Sequence, residues 1–377
     1  MCLKAILDAL KPKPKPPDNG SSVSTEVTYH TPGPEPPPPI PDKARFPLFV
    51  FIPELLVAEG NLNEFCRAFR AAGGHGIRLF LLQSWSHPLL LPWLPMEHDG
   101  GPVYIVEDGA KFPVADFDRP NPDYWASLAS ILAIIKANDL SVIASLGDNC
   151  SFNTHAQFFQ YPFVSAKQTM SPELFTMIEP QAALREIPGS TGGLYGPDKY
   201  PLFRSWVRAC ADALDASGVH YWLEIQNEFS RFDWSPSASE PRDWYAEIVN
   251  AALGRAGLIH SGDMDITLQF PGVYSMHGIE RAGMYPFTGD FSRLMLSGDG
   301  GYAGPFKGRS ETDIDIEGRH GLSVDDAVEL AQMIRDQGIL NGYEWMPKWA
   351  WRFSDYRANI DDIPMDVPSA MTAEWAK

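Results

Sequence analysis

The 377-residue chain is 44% hydrophobic, enough for one large domain or two ordinary ones. Its formal net charge of −18 argues against nucleic acid and anionic membranes as partners, because phosphate-rich surfaces are bound through clustered Lys and Arg. No apolar stretch reaches the roughly 18 residues needed to cross a bilayer, and four cysteines without C-x-x-C spacing (Cys2, Cys66, Cys150 and Cys210) indicate neither a zinc knuckle nor a disulfide framework.

The chain opens with MCLKAILDALKPKPKPP, whose apolar run is too short for a signal-peptide core and is followed by no A-x-A-like cleavage site. Eleven of the 34 prolines fall within residues 11–42. Such a segment lacks backbone donors and reads as an extended spacer. Residues 1–45 are therefore expected to combine a short amphipathic stretch at 1–10, suited to docking on another protein, with a disordered Pro-rich segment, and residues 46–377 to form the folded domain.

From Phe46 onward, short apolar runs alternate with amphipathic stretches. Residues 47–53 predict a first strand, and 62–74 a helix with Leu62, Phe65, Cys66 and Phe69 on one face. Residues 76–82 predict a second strand. Asn121 as cap and Pro122 at the first helical position open a helix to 138, before a third strand at 140–146. A helix over 200–218 ends at Gly218 and leads into the fourth strand, VHYWLEIQN. A helix at 241–257 and a fifth strand at 265–270 follow. The sixth strand is assigned to 293–298 and the seventh to TDIDIEG, 312–318. A helix over 323–338, with Val324, Ala327, Val328, Ala331 and Ile334 inward, precedes the eighth strand in GYEWMPKW, 342–349.

Helices between strands imply parallel pairing, and about eight such units match an α/β (β/α)8 barrel with long βα-loop insertions at about 83–118 and 149–199. The competing open sheet lacks its G-x-G-x-x-G turn after the first strand.

Catalytic groups of such barrels sit where strands end. Those ends present Arg78, Asp148 with Asn149, Asn227 with Glu228, Glu317, and Trp345. Two carboxylic acids on non-adjacent strands facing one cavity are what glycoside cleavage requires: one protonates the leaving oxygen while the other attacks or stabilises the anomeric carbon.

EIQNE at the end of strand four, Glu317 after an apolar run and GYEWMPKW at strand eight resemble the clan A glycoside hydrolases, the retaining barrel enzymes that include cellulases, mannanases and β-galactosidases. The Arg of GIRLF resembles the Arg these enzymes place behind the nucleophile. The resemblance covers residues 46–350 and implies that Glu228 is the acid/base and Glu317 the nucleophile. It further implies that Asn227 bonds the sugar 2-hydroxyl, that Arg78 holds Glu317 ionised and that Trp345 forms a platform under the sugar. Strand alternation aims Asp313, Asp315 and Glu317 inward if Ile314 and Ile316 face the helices, with only Glu317 at the rim. Glu344 lies inside strand eight, too deep to meet a substrate. Two features depart from the clan pattern. Strand three ends in SLGDNC, and the Tyr or His normally given by strand six is represented only by the candidates Tyr302 and His277.

The implied substrate is a β-linked polysaccharide or oligosaccharide, cleaved with no cofactor and no metal. A metal-dependent barrel hydrolase is disfavoured because strand one carries no His and no H-E-x-x-H occurs; Glu317 and His320 form E-x-x-H across a Gly-Arg turn rather than on a helix. A tethered sugar-binding barrel without turnover is the other alternative, since a barrel does not dictate chemistry.

Overall fold

Eight parallel strands close into a barrel in a computed structural model that describes residues 48–51, 62–81, most of 92–120, 121–147, 200–227 and 229, 239–277, 291–297, most of 324–345, and 365–377. In chain order the elements begin with β1 (Leu48–Phe51), α1 (Leu62–Ala71) and β2 (Gly76–Phe80). The insertion after β2 carries β3 (Trp93–Pro95), β4 (Glu97–His98), β5 (Gly101–Pro102), β6 (Tyr104–Glu107), β7 (Ala110–Pro113) and β8 (Ala115–Pro120). The main wall continues with α2 (Pro122–Ala137), β9 (Ser141–Ser145), α3 (Tyr200–Ser217), β10 (Tyr221–Glu224), α4 (Ser239–Ala252) and β11 (Gly257–His260). It ends with α5 (Met264–Thr267), β12 (Val273–His277), β13 (Leu294–Ser297), α6 (Val324–Asp336), β14 (Tyr343–Trp345) and α7 (Asp366–Trp375). The staves, in order round the barrel, are β1, β2, β9, β10, β11, β12, β13 and β14, and β14 returns to β1.

Local chemistry explains the helix ends. Asn121 Oδ1 accepts from the Asp123 N–H at 3.1 Å and Pro122 occupies the first turn, as the sequence predicts for α2. Gly218 closes α3 at φ +65°, a conformation that costs a residue with a Cβ more than glycine.

Three strand assignments change. The fifth stave is Gly257–His260, not 265–270, which contains most of the short α5. The side chain of Asp263 accepts from the Ile266 N–H and turns that segment into a helical start, while α4 stops at Ala252 and leaves Gly257–His260 free to pair. The sixth stave is therefore Val273–His277, and 293–298 supplies the seventh. The predicted strand at 312–318 lies outside the described residues, in the connection between β13 and α6. Val324, expected to face inward, is exposed at the first turn of α6, whereas Ala327, Ala331 and Ile334 are buried.

Two cores result from strand alternation. Outward side chains such as Val50, Ile77, Val142, Leu223, Leu258 and Tyr343 meet the helices in one large apolar cluster. Inside the barrel, Phe49, Ile143, Ile259 and Met295 come from β1, β9, β11 and β13, every second stave, and pack with Trp222 and Val273. The Phe49 and Trp222 rings meet edge to face at 5.4 Å. Gly76 makes this possible. A Cβ there would come within 2.7 Å of the Phe49 ring and 2.5 Å of Ser141 Oγ.

Cys66 and Cys210 are buried core residues; burial pushes the Cys66 thiol up to about 12 and raises that of Cys210 well above its ordinary value, so neither is a thiolate at neutral pH. His260, the last residue of β11, is buried under α4. Its Nε2 faces the Pro271 carbonyl at 3.0 Å, which can only accept, so Nε2 carries the proton and Nδ1 accepts from the Tyr245 hydroxyl at 2.8 Å.

The insertion after β2 is a nested antiparallel ladder: β3 pairs with β8 and encloses two hairpins, β4–β5 and β6–β7. Trp93 roots it on the barrel wall, packed against Trp206, which in turn packs against Trp125. No helix among the described residues is long and apolar enough to cross a membrane.

Candidate functional site

Two residues beyond the apolar interior layer, toward the carboxyl ends of the strands, the barrel changes character. The other four staves contribute Arg78 from β2, Glu224 from β10, Ser275 from β12 and Glu344 from β14, all buried. A charged group inside an apolar strand survives burial only when partners satisfy it. Here the partners are one another. Arg78 Nε donates to Glu224 Oε2 at 3.0 Å, and Nη2 lies 2.8 and 2.7 Å from Glu224 Oε1 and Oε2. Arg78 Nη1 donates to both oxygens of Glu344, at 2.9 and 2.8 Å.

Hydroxyls complete the shell of Glu224. Ser145 Oγ of β9 donates to Oε2 at 2.5 Å, and Ser261 Oγ, just past β11, lies 3.4 Å from Oε1. The guanidinium sits 4.6 Å from the centroid of the Phe80 ring, the next inward residue of β2. One cation thus joins staves two, four and eight, with carboxylates in excess. The negative charge of Glu224 is also felt on the far side of the wall. Burial, then that charge and Tyr274, raise the Tyr245 phenol well above its ordinary value, which keeps it the hydroxyl donor to His260.

Asn227 belongs to the same cluster. It is buried, and its Oδ1 accepts from Arg78 Nη2 at 2.7 Å. Glu224 and Asn227 both face Arg78 although they are three positions apart, so the two-residue alternation of the strand breaks in between. The backbone bends at Ile225, which points outward into the helix-facing core. Irregularities of this kind re-aim side chains at strand ends. Beyond the bend the backbone stays tied to its neighbours: the Asn227 N–H donates to the Gly147 carbonyl at 2.8 Å, and Phe229 bridges to Gly262. The Phe229 ring is buried between Trp244 and Tyr245, with centroids 5.9 and 4.6 Å away. Both covalent neighbours of Glu228 are therefore anchored.

The structure brings Arg78 and Asn227 together, and the carboxylates it sets on Arg78 are Glu224 and Glu344, where the resemblance implies Glu317, which lies outside the described residues. It sends Trp345 elsewhere. That side chain points out of the barrel, 1% exposed, with its ring stacked on Phe69 of α1 at 6.2 Å and 19°. Position decides this: Glu344 points inward, so its neighbour Trp345 must point outward. The expected sugar platform is a residue of the helix-facing core. Six described tryptophans, Trp93, Trp125, Trp206, Trp222, Trp244 and Trp345, are buried, so core packing is what these residues serve.

His277 is the last residue of β12, the sixth stave, where a strand-six candidate belongs; its side chain lies outside the described residues. Tyr302 follows the seventh stave in the chain rather than the sixth. Glu228, Glu317, Asp148, Asn149 and Tyr302 also lie outside the described residues, as does the E-x-x-H pair Glu317 and His320. In chain order, Asp148 and Asn149 come after β9 and before α3, and Glu317 after β13 and before α6. Among the described residues no group of three His, Cys, Asp or Glu is arranged to hold a metal ion.

Glu224 was not foreseen as part of the cluster, nor was the way Glu344 is engaged. The signal was present in both cases, as a lone ionisable residue in an apolar strand with its inward phase set by Trp222 for β10 and by the pairing of Glu344 with Phe49 for β14.

No protein-family model matches the chain, and no curated relative matches it. Solved structures do. A GH5_18 protein from Bifidobacterium longum subsp. infantis superposes with a TM-score of 0.51 at 12% identity, over 88% of this chain and 78% of that one. A glycoside hydrolase family 5 enzyme from Prevotella bryantii, crystallised with a xyloglucan tetradecasaccharide, gives 0.47 at 11% identity over 88% and 96%. GH5_18 from Streptomyces cattleya, in complex with GlcNAc, gives 0.44 at 14% over 88% and 80%. At such identities a likeness speaks to architecture alone: this chain has a (β/α)8 barrel fold like that of the GH5_18 protein.

Proposed function

We propose that the protein is a retaining O-glycosidase acting on a β-linked polysaccharide or oligosaccharide, with Glu228 as acid/base and Glu317 as nucleophile. The observation that carries this reading is the anchoring of Asn227 and Phe229. A carboxyl-bearing residue stands between them, directly after the fourth stave of a barrel, and its preceding Asn is oriented by a buried arginine. In the proposed reaction Glu228 donates a proton to the leaving oxygen while Glu317 attacks the anomeric carbon. Glu228 then takes a proton from the water that hydrolyses the glycosyl ester. Asn227 holds the 2-hydroxyl, a contact that tightens as the ring becomes oxocarbenium-like.

A panel of aryl-glycosides and plant and bacterial polysaccharides tests the proposal, with Glu228→Gln and Glu317→Gln as controls. Each variant should lose at least roughly a hundredfold in turnover, since general acid catalysis alone contributes about 10²–10⁴. Sugar binding without cleavage by the wild type would make the chain a binding module instead. Loss of activity on chelation would overturn the metal-independent mechanism.

A further inference from the structure

We infer that Glu344 is a positioning residue, acting through Arg78 to fix which end of the Asn227 amide a ligand meets. The inference rests on the glycosidase reading for its kinetic consequence but not for its geometry. Arginine has donors and no acceptor. With Nη2 at 2.7 Å, only the Oδ1 of Asn227 can face it; the opposite orientation would press N–H groups against N–H groups in a water-excluded site. The amide nitrogen of Asn227 is thereby turned away from the guanidinium.

That orientation is only as firm as the guanidinium itself. Glu224 grips its Nε–Nη2 edge. A plane held along one edge can still tilt about it, and a tilt swings Nη2 off the line to Asn227. Glu344 stops this by taking Nη1 with both oxygens from the opposite side of the barrel. At 1% exposure Glu344 does not itself meet a substrate. Its effect on a ligand passes through two side chains, Arg78 and then Asn227.

The test is a double-mutant cycle between Glu344→Gln and Asn227→Ala. Glutamine keeps the size of Glu344 but replaces one acceptor oxygen with an NH2 group facing Nη1. Glu344→Gln is expected to lower kcat about tenfold with KM within about twofold, because the loosened contact is the one that strengthens in the transition state. In the Asn227→Ala background the same substitution should change kcat by less than about twofold, since residues acting through one network are not additive. Full additivity would overturn the inference and leave Glu344 a purely structural residue. The second readout needs no turnover: the side-chain NH2 resonances of Asn227, assigned by their absence in Asn227→Asp, should shift or broaden in Glu344→Gln, and unchanged resonances overturn the inference. If the wild type cleaves no glycoside, the functional reading fails, and the resonances alone decide the positioning role. Should Glu344→Gln not fold, Glu344→Asp, which retains the charge but withdraws both oxygens by one methylene, is read the same way.

Discussion

Replacing Arg78 by Met should be among the most damaging single changes to this barrel. Methionine fills much of the arginine stem but removes the cation from between Glu224 and Glu344, together with its bonds to four carboxylate oxygens and to Asn227 Oδ1. Breaking a buried pair from one side costs about 3–5 kcal/mol, because a carboxylate remains in a poorly solvated site. Two carboxylates lose their cation here, but the cluster acts as a unit and Glu224 keeps the hydroxyls of Ser145 and Ser261. The expected loss is therefore about 4–5 kcal/mol rather than twice the single-pair figure. Against a total stability of about 5–15 kcal/mol, this is a large fraction. Urea unfolding followed by tryptophan fluorescence and circular dichroism measures it. Arg78→Lys should fall between, at about 1–2 kcal/mol, because a single ammonium cannot span three partners. The triple variant Arg78→Met, Glu224→Gln, Glu344→Gln should recover most of the loss, since no buried charge is then left. A loss below about 1 kcal/mol for Arg78→Met, or a triple variant no better than the single one, would refute the argument from buried charge.

Two further outcomes follow from the same geometry. Trp345→Ala should cost about 3–5 kcal/mol through the space left beside Phe69, whereas Trp345→Phe should leave kcat unchanged; a large kcat loss in Trp345→Phe, with folding intact, would return this residue to the substrate cavity. His260 should give acid sensitivity. Burial, then the Arg293 charge, outweigh the Pro271 carbonyl bond and lower its pKa from 6.5 to about 4. Between these values the unfolded chain binds a proton that the folded one refuses, so stability rises with pH. The contribution is complete above about pH 6.5 and lost as pH falls to about 4, roughly 3 kcal/mol in all. Urea midpoints for the wild type and His260→Gln should converge over that interval, and parallel curves would contradict the assignment.

The barrel was legible in the sequence because its signals are local and repeated. Asn121-Pro122 starts one helix, Gly218 stops another, and the apolar strands β1, β2, β9 and β10 stand out from amphipathic neighbours. The register of the later staves was not. β11 is only four residues long and follows directly on a helical pattern, so a helix drawn through to 257 absorbs it; 293–298, the seventh stave, then counts as the sixth, while the eighth keeps its place. Within the site, Arg78 and Asn227 stand out as polar residues on otherwise apolar segments, Arg78 at the middle of β2 and Asn227 just past the end of β10. The place of Trp345 follows from its phase on the strand, not from its aromatic character. Period two settles the matter once Glu344 is known to face inward. Glu224 is hidden for the opposite reason: the polar pair Asn227-Glu228 dominates WLEIQNEFS, while the strand's own inward carboxylate lies three positions before Asn227.

The arginine clamp has a consequence for how the chain assembles. Its members lie 146 and 266 residues apart in sequence, and the last arrives only with the final stave. Loop-closure entropy makes contacts of such range late events. Until β14 docks against β1, Arg78 and both glutamates remain hydrated in an open sheet, where charge is cheap. Sealing the cylinder is the step that dries them, and the three charges then check that the last stave has arrived in register. A β14 slipped by one residue would turn Glu344 toward the helices and strand the guanidinium without half its counter-charge.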